Sequence, residues 1–276
     1  MKILSSWRID QIKDANRILR RIEESNSKLL VVHYACESFY GKPAYTPRVT
    51  SIGVLNKENN ESRIFSIHLS AQILQMSLED LSADNLDIIE KSMLYEFAKF
   101  ADSHQSYIWL HWNMRSASYG FQAISNRYLI LGGSEIKIPD ANKVDLSEVF
   151  DKRYTHDFEL NEPDGKLLNL ARRNNINLMD AMPGKQEAIA FDSKNFKALH
   201  MSTMRKVEII DRLLTAHIRG KLKYAVSLKD VYDLTIPGIY GLIRDSWLLL
   251  LIWSMLLWVI GAACEPVVQK IFGTAG

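Results

Sequence analysis

The sequence predicts a mixed α/β body followed by one transmembrane helix near the C-terminus. Three observations lead there. An amphipathic helical stretch is followed by three consecutive strand-like runs, then by helical segments alternating with short apolar runs. The third is an uncharged apolar run of 18 residues, 247–264, read from the sequence WLLLLIWSMLLWVIGAAC.

The bulk composition fits a chain with a true core. Of 276 residues, 47% are apolar and 24% charged, and the formal net charge is +2. So small a positive excess is compatible with nucleic acid or anionic lipid and requires neither. The two cysteines, Cys36 and Cys264, give neither a disulfide framework nor zinc-type spacing, so a reducing compartment is expected. Arg8, Asp10, Lys13, Asp14, Arg17, Arg20 and Arg21 crowd the N-terminus and leave no apolar stretch for a secretory signal.

Residues 6–24 place Trp7, Ile12, Ala15, Ile18, Leu19 and Ile22 on one helical face, and Ser25-Asn26-Ser27 breaks the helix. The run LLVVHYAC at 29–36 predicts a buried strand. Residues 49–55 predict a second strand, KENNES at 57–62 a turn, and residues 63–68 a third strand. A helix is expected over 84–101, with Leu86, Ile89, Met93, Leu94 and Phe97 inward. A strand follows at 107–112 and a helix at 119–131. Further elements are expected at 143–150, 166–174, 186–191 and 201–217. The predicted organisation is an N-terminal amphipathic helix (1–24), an α/β domain (25–219), a juxtamembrane linker (220–245), the span (246–264) and a short tail (265–276).

The apolar run is about 27 Å long as a helix, close to the roughly 30 Å of a hydrocarbon core. Nine of its residues are Leu, Ile or Val and none is charged, so insertion is favoured by several kcal/mol on the order of the translocon scale. Lys221, Lys223, Lys229 and Arg244 precede it and only Lys270 follows. The positive-inside bias therefore predicts a single-pass protein of the inner or plasma membrane with a cytoplasmic body.

Several weakly matching segments occur in an order that resembles the ribonuclease H-like fold of the DEDD-type 3′–5′ exonucleases, over residues 28–216. VVHYACES is similar to that family's first strand, which ends in Asp-x-Glu; here the positions hold Ala35 and Glu37. RVTSIGVLNKENNESRIFSIH looks like its hairpin. IWLHWNMRSASYGFQAI resembles its second motif, with His111 and Asn113 matched and Tyr119-Gly120 where Phe-Asp would stand. KVDLSEVF and KLLNLARRNNI look like later elements. In the closing motif His200 is followed five residues on by Arg205, then Lys206, where the family has Asp.

The resemblance implies a ribonuclease H-like mixed sheet flanked by helices and a two-metal phosphodiesterase site. Such a site needs several carboxylates around a pair of divalent cations. On this alignment Ala35, Gly120 and Arg205 replace three of the four acids and only Glu37 remains. The expectation is therefore a pseudoenzyme with no cofactor, in which an arginine takes over the metal's electrostatic role toward phosphate. Its nucleic-acid-binding candidates are His111, Trp112, Asn113, Arg115, Tyr119, His200, Arg205 and Lys206, with Trp112 and Tyr119 as stacking platforms and the cations on phosphate. Arg127, Arg172 and Arg173 could extend such a groove. The histidines His33, His111 and His200 could cluster across neighbouring elements.

Two other readings stand beside this one. The first is an active nuclease using Mg²⁺ or Mn²⁺ at a rearranged site around Glu37 and Asp145. The second is a structural, oligomerising membrane protein. The expected partners are membrane lipid, nucleic acid, and a protein partner or second copy. A membrane-linked sensing domain in bacterial phage defence is one setting suggested by architecture alone.

Overall fold

The structure, a computed structural model, describes residues 6–25, 28–38, 46–78, 82–114 and 119–272, the last eight by backbone only. It has an α/β architecture: a five-stranded mixed sheet flanked by helices, and one apolar helix beyond it.

Helix α1 (Trp7–Glu24) starts at Ser6, whose hydroxyl accepts the Ile9 N–H, and buries Ile12, Ala15, Leu19 and Ile22. Strand β1 (Leu29–Cys36) runs through the centre of the sheet. Its side chains alternate between two cores: Leu29 and Val31 join one, Leu30 and Val32 the other. Strands β2 (Val49–Asn56) and β3 (Glu61–Ser66) form an antiparallel meander with β1, turning at Lys57–Asn60, where Asn60 takes a left-handed φ of 57°. Beyond them come α2 (Ile67–Ile73), α3 (Ala83–Ser103), β4 (Ile108–His111) and α4 (Phe121–Ile130). β5 (Lys143–Asp145), α5 (Leu146–Tyr154), α6 (Lys166–Arg173), α7 (Gly184–Asp192) and α8 (Phe196–Ile218) complete the body.

The sheet order is β3-β2-β1-β4-β5, with β4 parallel to β1 and β5 parallel to β4. Helices α1, α5, α6 and most of α8 cover one face; α3, α4 and the start of α8 cover the other. α8 crosses β2 so closely that a Cβ on Gly53 would sit 3.0 Å from Val207 Cγ2 and 3.2 Å from Met204 Sδ. The chain leaves β1 toward β2 and leaves β4 toward β5, in opposite directions across the sheet. A crevice at the carboxyl ends of the adjacent parallel strands β1 and β4 is the geometric result.

Two helices start where the periodicity does not place them, each because of a cap. The third strand, expected to reach residue 68, ends at Ser66, whose Oγ accepts the Leu69 N–H and starts α2. Helix α8 begins at Phe196 because the Asn195 side chain accepts the Ala198 N–H.

The chain after α8 folds back on the body. Ala225 donates its N–H to Phe158 O (2.7 Å), and Val231, in the short α9 (Leu228–Val231), is fully buried. Arg8 clamps this return: its Nε donates to Val231 O (2.6 Å) and its Nη1 to Lys152 O (2.8 Å). Then come α10 (Ile236–Asp245), which buries no residue, and α11 (Trp247–Phe272). Within α11 the stretch Trp247–Cys264 is long and apolar enough to cross a membrane, and none of it is buried against the body.

Candidate functional site

The crevice at the ends of β1 and β4 opens into a cavity of about 800 Å³, a size that admits a small organic ligand. Its back wall is the end of β1, His33 to Ser38. Trp112, Asn113 and Tyr119 form one side, and the starts of α6 and α7 form the other. Lys206 enters from α8.

Lys206 anchors the floor. Its Nζ lies 2.6 Å from Glu187 Oε1, and both side chains are nearly buried. The same carboxylate oxygen accepts the Ser202 hydroxyl at 2.7 Å, and Ser202 Oγ in turn accepts the Met182 N–H at 3.0 Å. A lysine and a carboxylate this deeply placed survive desolvation because each neutralises the other and the Ser202 hydroxyl adds a second hydrogen bond to the acid.

His33 stands beside this pair on β1, 6% exposed. Burial, with Lys206 and His111 nearby, holds its imidazole well below the usual histidine range, so it is neutral at physiological pH. Its Nδ1 has no hydrogen-bond partner among the described residues. Cys36, on the same strand, has its thiol pushed up to about 12 by burial and by the carboxylates of Glu187 and Glu37. Tyr34 and Tyr119 stack with ring centroids 4.6 Å apart. Tyr119 donates its hydroxyl proton to Tyr34 O, and the Gly120 N–H donates to the Tyr34 hydroxyl, both at 3.0 Å. Burial raises both phenols above the ordinary tyrosine range.

Of the residues singled out from the sequence, Glu37, Trp112, Asn113, Tyr119 and Lys206 meet in this cavity, together with Ala35. Their surroundings are as follows. Trp112 is a core residue, set edge-on to Phe150 and Phe158, and one face of Tyr119 is taken by Tyr34. Asn113 adopts a left-handed φ of 56°, and its N–H donates to Asp145 Oδ1 (2.9 Å). Asp145 also accepts the Ser147 N–H and so caps α5, and it is not among the residues that line the cavity. His111 is buried, and its Nδ1 accepts the Met114 N–H.

Arg205 and His200 are not brought to this cavity. The Arg205 guanidinium donates to Met179 O and pairs with Glu208, bordering a separate groove with Asp180 and Met201. One residue along a helix is a turn of about 100°, so Lys206 points inward where Arg205 points away. His200 accepts or shares a hydrogen bond with Ser66 Oγ near His68. His33 and His111 are therefore neighbours on adjacent strands, and His200 stands apart. Arg115 lies outside the described residues. Arg127 is buried against Glu90 and Asp87, and Arg173 and Arg172 pair with Glu159 and Asp164, so none of the three extends the cavity.

The sequence reasoning missed Glu187, Lys166 and Lys185. Only Glu187 carried a local signal, as an acid one turn from the apolar face of a predicted helix; the lysines are unremarkable until α6 and α7 converge. Among the described residues, no three His, Cys, Asp or Glu side chains are grouped so as to hold a metal ion. No protein-family model matches the chain and no curated protein matches it in sequence.

Proposed function

We propose that this chain is a membrane-anchored, catalytically degenerate member of the ribonuclease H-like exonuclease group that binds the end of a single nucleic-acid strand without cutting it. The order β3-β2-β1-β4-β5, antiparallel over its first three strands and parallel thereafter, agrees with that group's sheet. The observation that carries the reading is the Lys206 ammonium on the cavity floor, 2.6 Å from Glu187. A two-metal site needs carboxylate oxygens at that depth. Of the four acids that line the cavity, Glu187 on α7 is neutralised by this fixed cation, Asp151 pairs with Lys166 and Asp164 with Arg172, and Glu37 alone is too little for two Mg²⁺ or Mn²⁺ ions. The residues present do not fit a metal pair, and no hydrolytic step is assigned.

α11 supplies the anchor, with the body on the cytoplasmic side as the surplus of Lys and Arg before the span favours. The test uses the full-length protein in lipid nanodiscs with labelled single-stranded DNA and RNA plus Mg²⁺ or Mn²⁺. Binding that weakens steeply with salt, without digestion, is expected. Digestion lost in Glu37→Gln would replace this reading with the active nuclease, for which Glu187 rather than Asp145 is the second acid beside Glu37. Absence of binding to either strand would leave a protein-contact role.

A further inference from the structure

Helix α10 has an apolar side that the body leaves uncovered. Thr235 caps its start by accepting the Gly238 N–H, and Pro237 stands in its first turn. Ile236, Ile239, Tyr240 and Ile243 follow an i, i+3, i+4, i+7 spacing and so share one side of the helix. Ile236 is 86% exposed, Tyr240 66% and Ile239 42%, and Ile243 is half-buried.

The opposite side, with Gly238, Gly241 and Asp245, is the one turned to the body. A Cβ on Gly238 would run into Asp233 O, so the helix lies flush on the turn that leaves α9. Asp245 pairs with Arg244 at 2.8 Å, which holds its carboxyl below the ordinary range against an opposing push from Asp10 on α1. Asp245 is thus close to the start of α1, the helix whose Arg8 grips Val231.

The next element along the chain identifies the cover. α10 ends at Ser246, which is fully buried and extended (φ −112°, ψ 109°), and Ser246 O accepts the Leu250 N–H of α11. One extended residue between the two helices breaks their common axis. α11 therefore enters its apolar stretch, Trp247–Cys264, directly from a bend. A helix with one apolar side, joined through a bend to a bilayer-spanning segment, is suited to the plane of the lipid headgroups. Arg244 and Asp245 neutralise each other, so the grip is apolar and needs no anionic lipid.

We infer that α10 rests on the lipid surface, with Ile236, Ile239, Tyr240 and Ile243 sunk into the boundary between headgroups and acyl chains of the bilayer that α11 crosses. The body, held to α9 by Arg8, is thereby set in one orientation against the membrane. The inference rests on the anchor proposed above and is independent of what the cavity binds.

Full-length protein carrying Cys36→Ala and Cys264→Ala receives one dye-labelled cysteine, by Tyr240→Cys or Ile236→Cys. Gly241→Cys is the control on the opposite side, where nothing lies within 4 Å of an added Cβ. The sample is a phosphatidylcholine nanodisc holding one copy, with some lipids spin-labelled near the headgroup. Quenching at positions 236 and 240 is expected to exceed that at 241 at least about three-fold, for a helix sunk about 5–10 Å into the boundary. Equal quenching at the three positions, or none at 236 and 240, overturns the inference and leaves the anchor in place. Shielding of 236 and 240 that appears only in discs holding two copies assigns the face to a second chain and overturns it as well. Protein that stays in the aqueous phase when phosphatidylcholine vesicles are floated removes the anchor, and the inference with it.

Discussion

Removing the carboxylate of Glu90 should cost the body about 3 kcal/mol, although the residue touches no ligand site. Glu90 is fully buried on α3. Its oxygens accept the Val49 N–H (2.7 Å), Arg48 Nη1 (2.8 Å) and Arg127 through Nε and Nη2 (2.8–3.1 Å). The arginine side chains are only 10% and 7% exposed, and the remaining acid, Asp87, lies at the rim with 44% exposure. The cluster is neutral with both acids present. Glu90→Gln leaves two buried guanidinium groups against one solvated carboxylate and strands a positive charge. Breaking a buried pair costs roughly 3–5 kcal/mol; Asp87, in contact with both arginines, moves the estimate to the lower end. For a body of this size that is a fall in Tm of about 6–12 °C. Thermal unfolding of the full-length protein in detergent micelles measures it. Glu90→Gln combined with Arg127→Met should cost clearly less than the sum of the two single changes. A fall below about 1 kcal/mol, or simple additivity, would refute the reasoning.

Acid should weaken the fold through His217. Burial and the nearby Arg153 lower its pKa from 6.5 to about 4 in the folded state, so between these values the unfolded chain binds more protons. Stability present above pH 6.5 is lost as pH falls toward 4, by up to about 3 kcal/mol, and the shift of His33 adds in the same direction. Denaturant midpoints at pH 7.5 and 5 read this, and His217→Phe should flatten the dependence. Gly53→Ala should destabilise by about 1–3 kcal/mol, because the new methyl meets Val207, Met204 and Thr203 at 3.0–3.2 Å. Relief by Val207→Ala in the same chain, measured as a recovered Tm, is the check.

The strands and most helices were legible because their apolar spacing is set by two cores on either side of one sheet. Leu29 to Val32 announces a strand buried on both faces, and the polar KENNES run announces the turn after β2. What failed was local: Ser66 and Asn195 redirect the chain through single capping bonds inside apolar or mixed runs. At the site, Glu37 and Lys206 were legible because they fall in motif-like segments. Glu187, Lys166 and Lys185 were not, since they reach the cavity only through the packing of α6 and α7 around the end of the sheet. Arg127 shows the converse. A cation that looked available to phosphate is spent on a buried acid far away in sequence.

The clamp that Arg8 places on Val231 sets a leash length. The body holds the chain as far as residue 231, and α11 begins at Trp247. Between them lie the ten residues of α10, about 15 Å of helix, and about five others that extend at most about 17 Å. With α11 in a bilayer, the cavity cannot stray farther from the lipid surface than its own height plus roughly 30 Å. A body anchored in that way would sample a thin shell beside the membrane, and a ligand itself held near that surface would meet it at a far higher local concentration than the same ligand in the bulk.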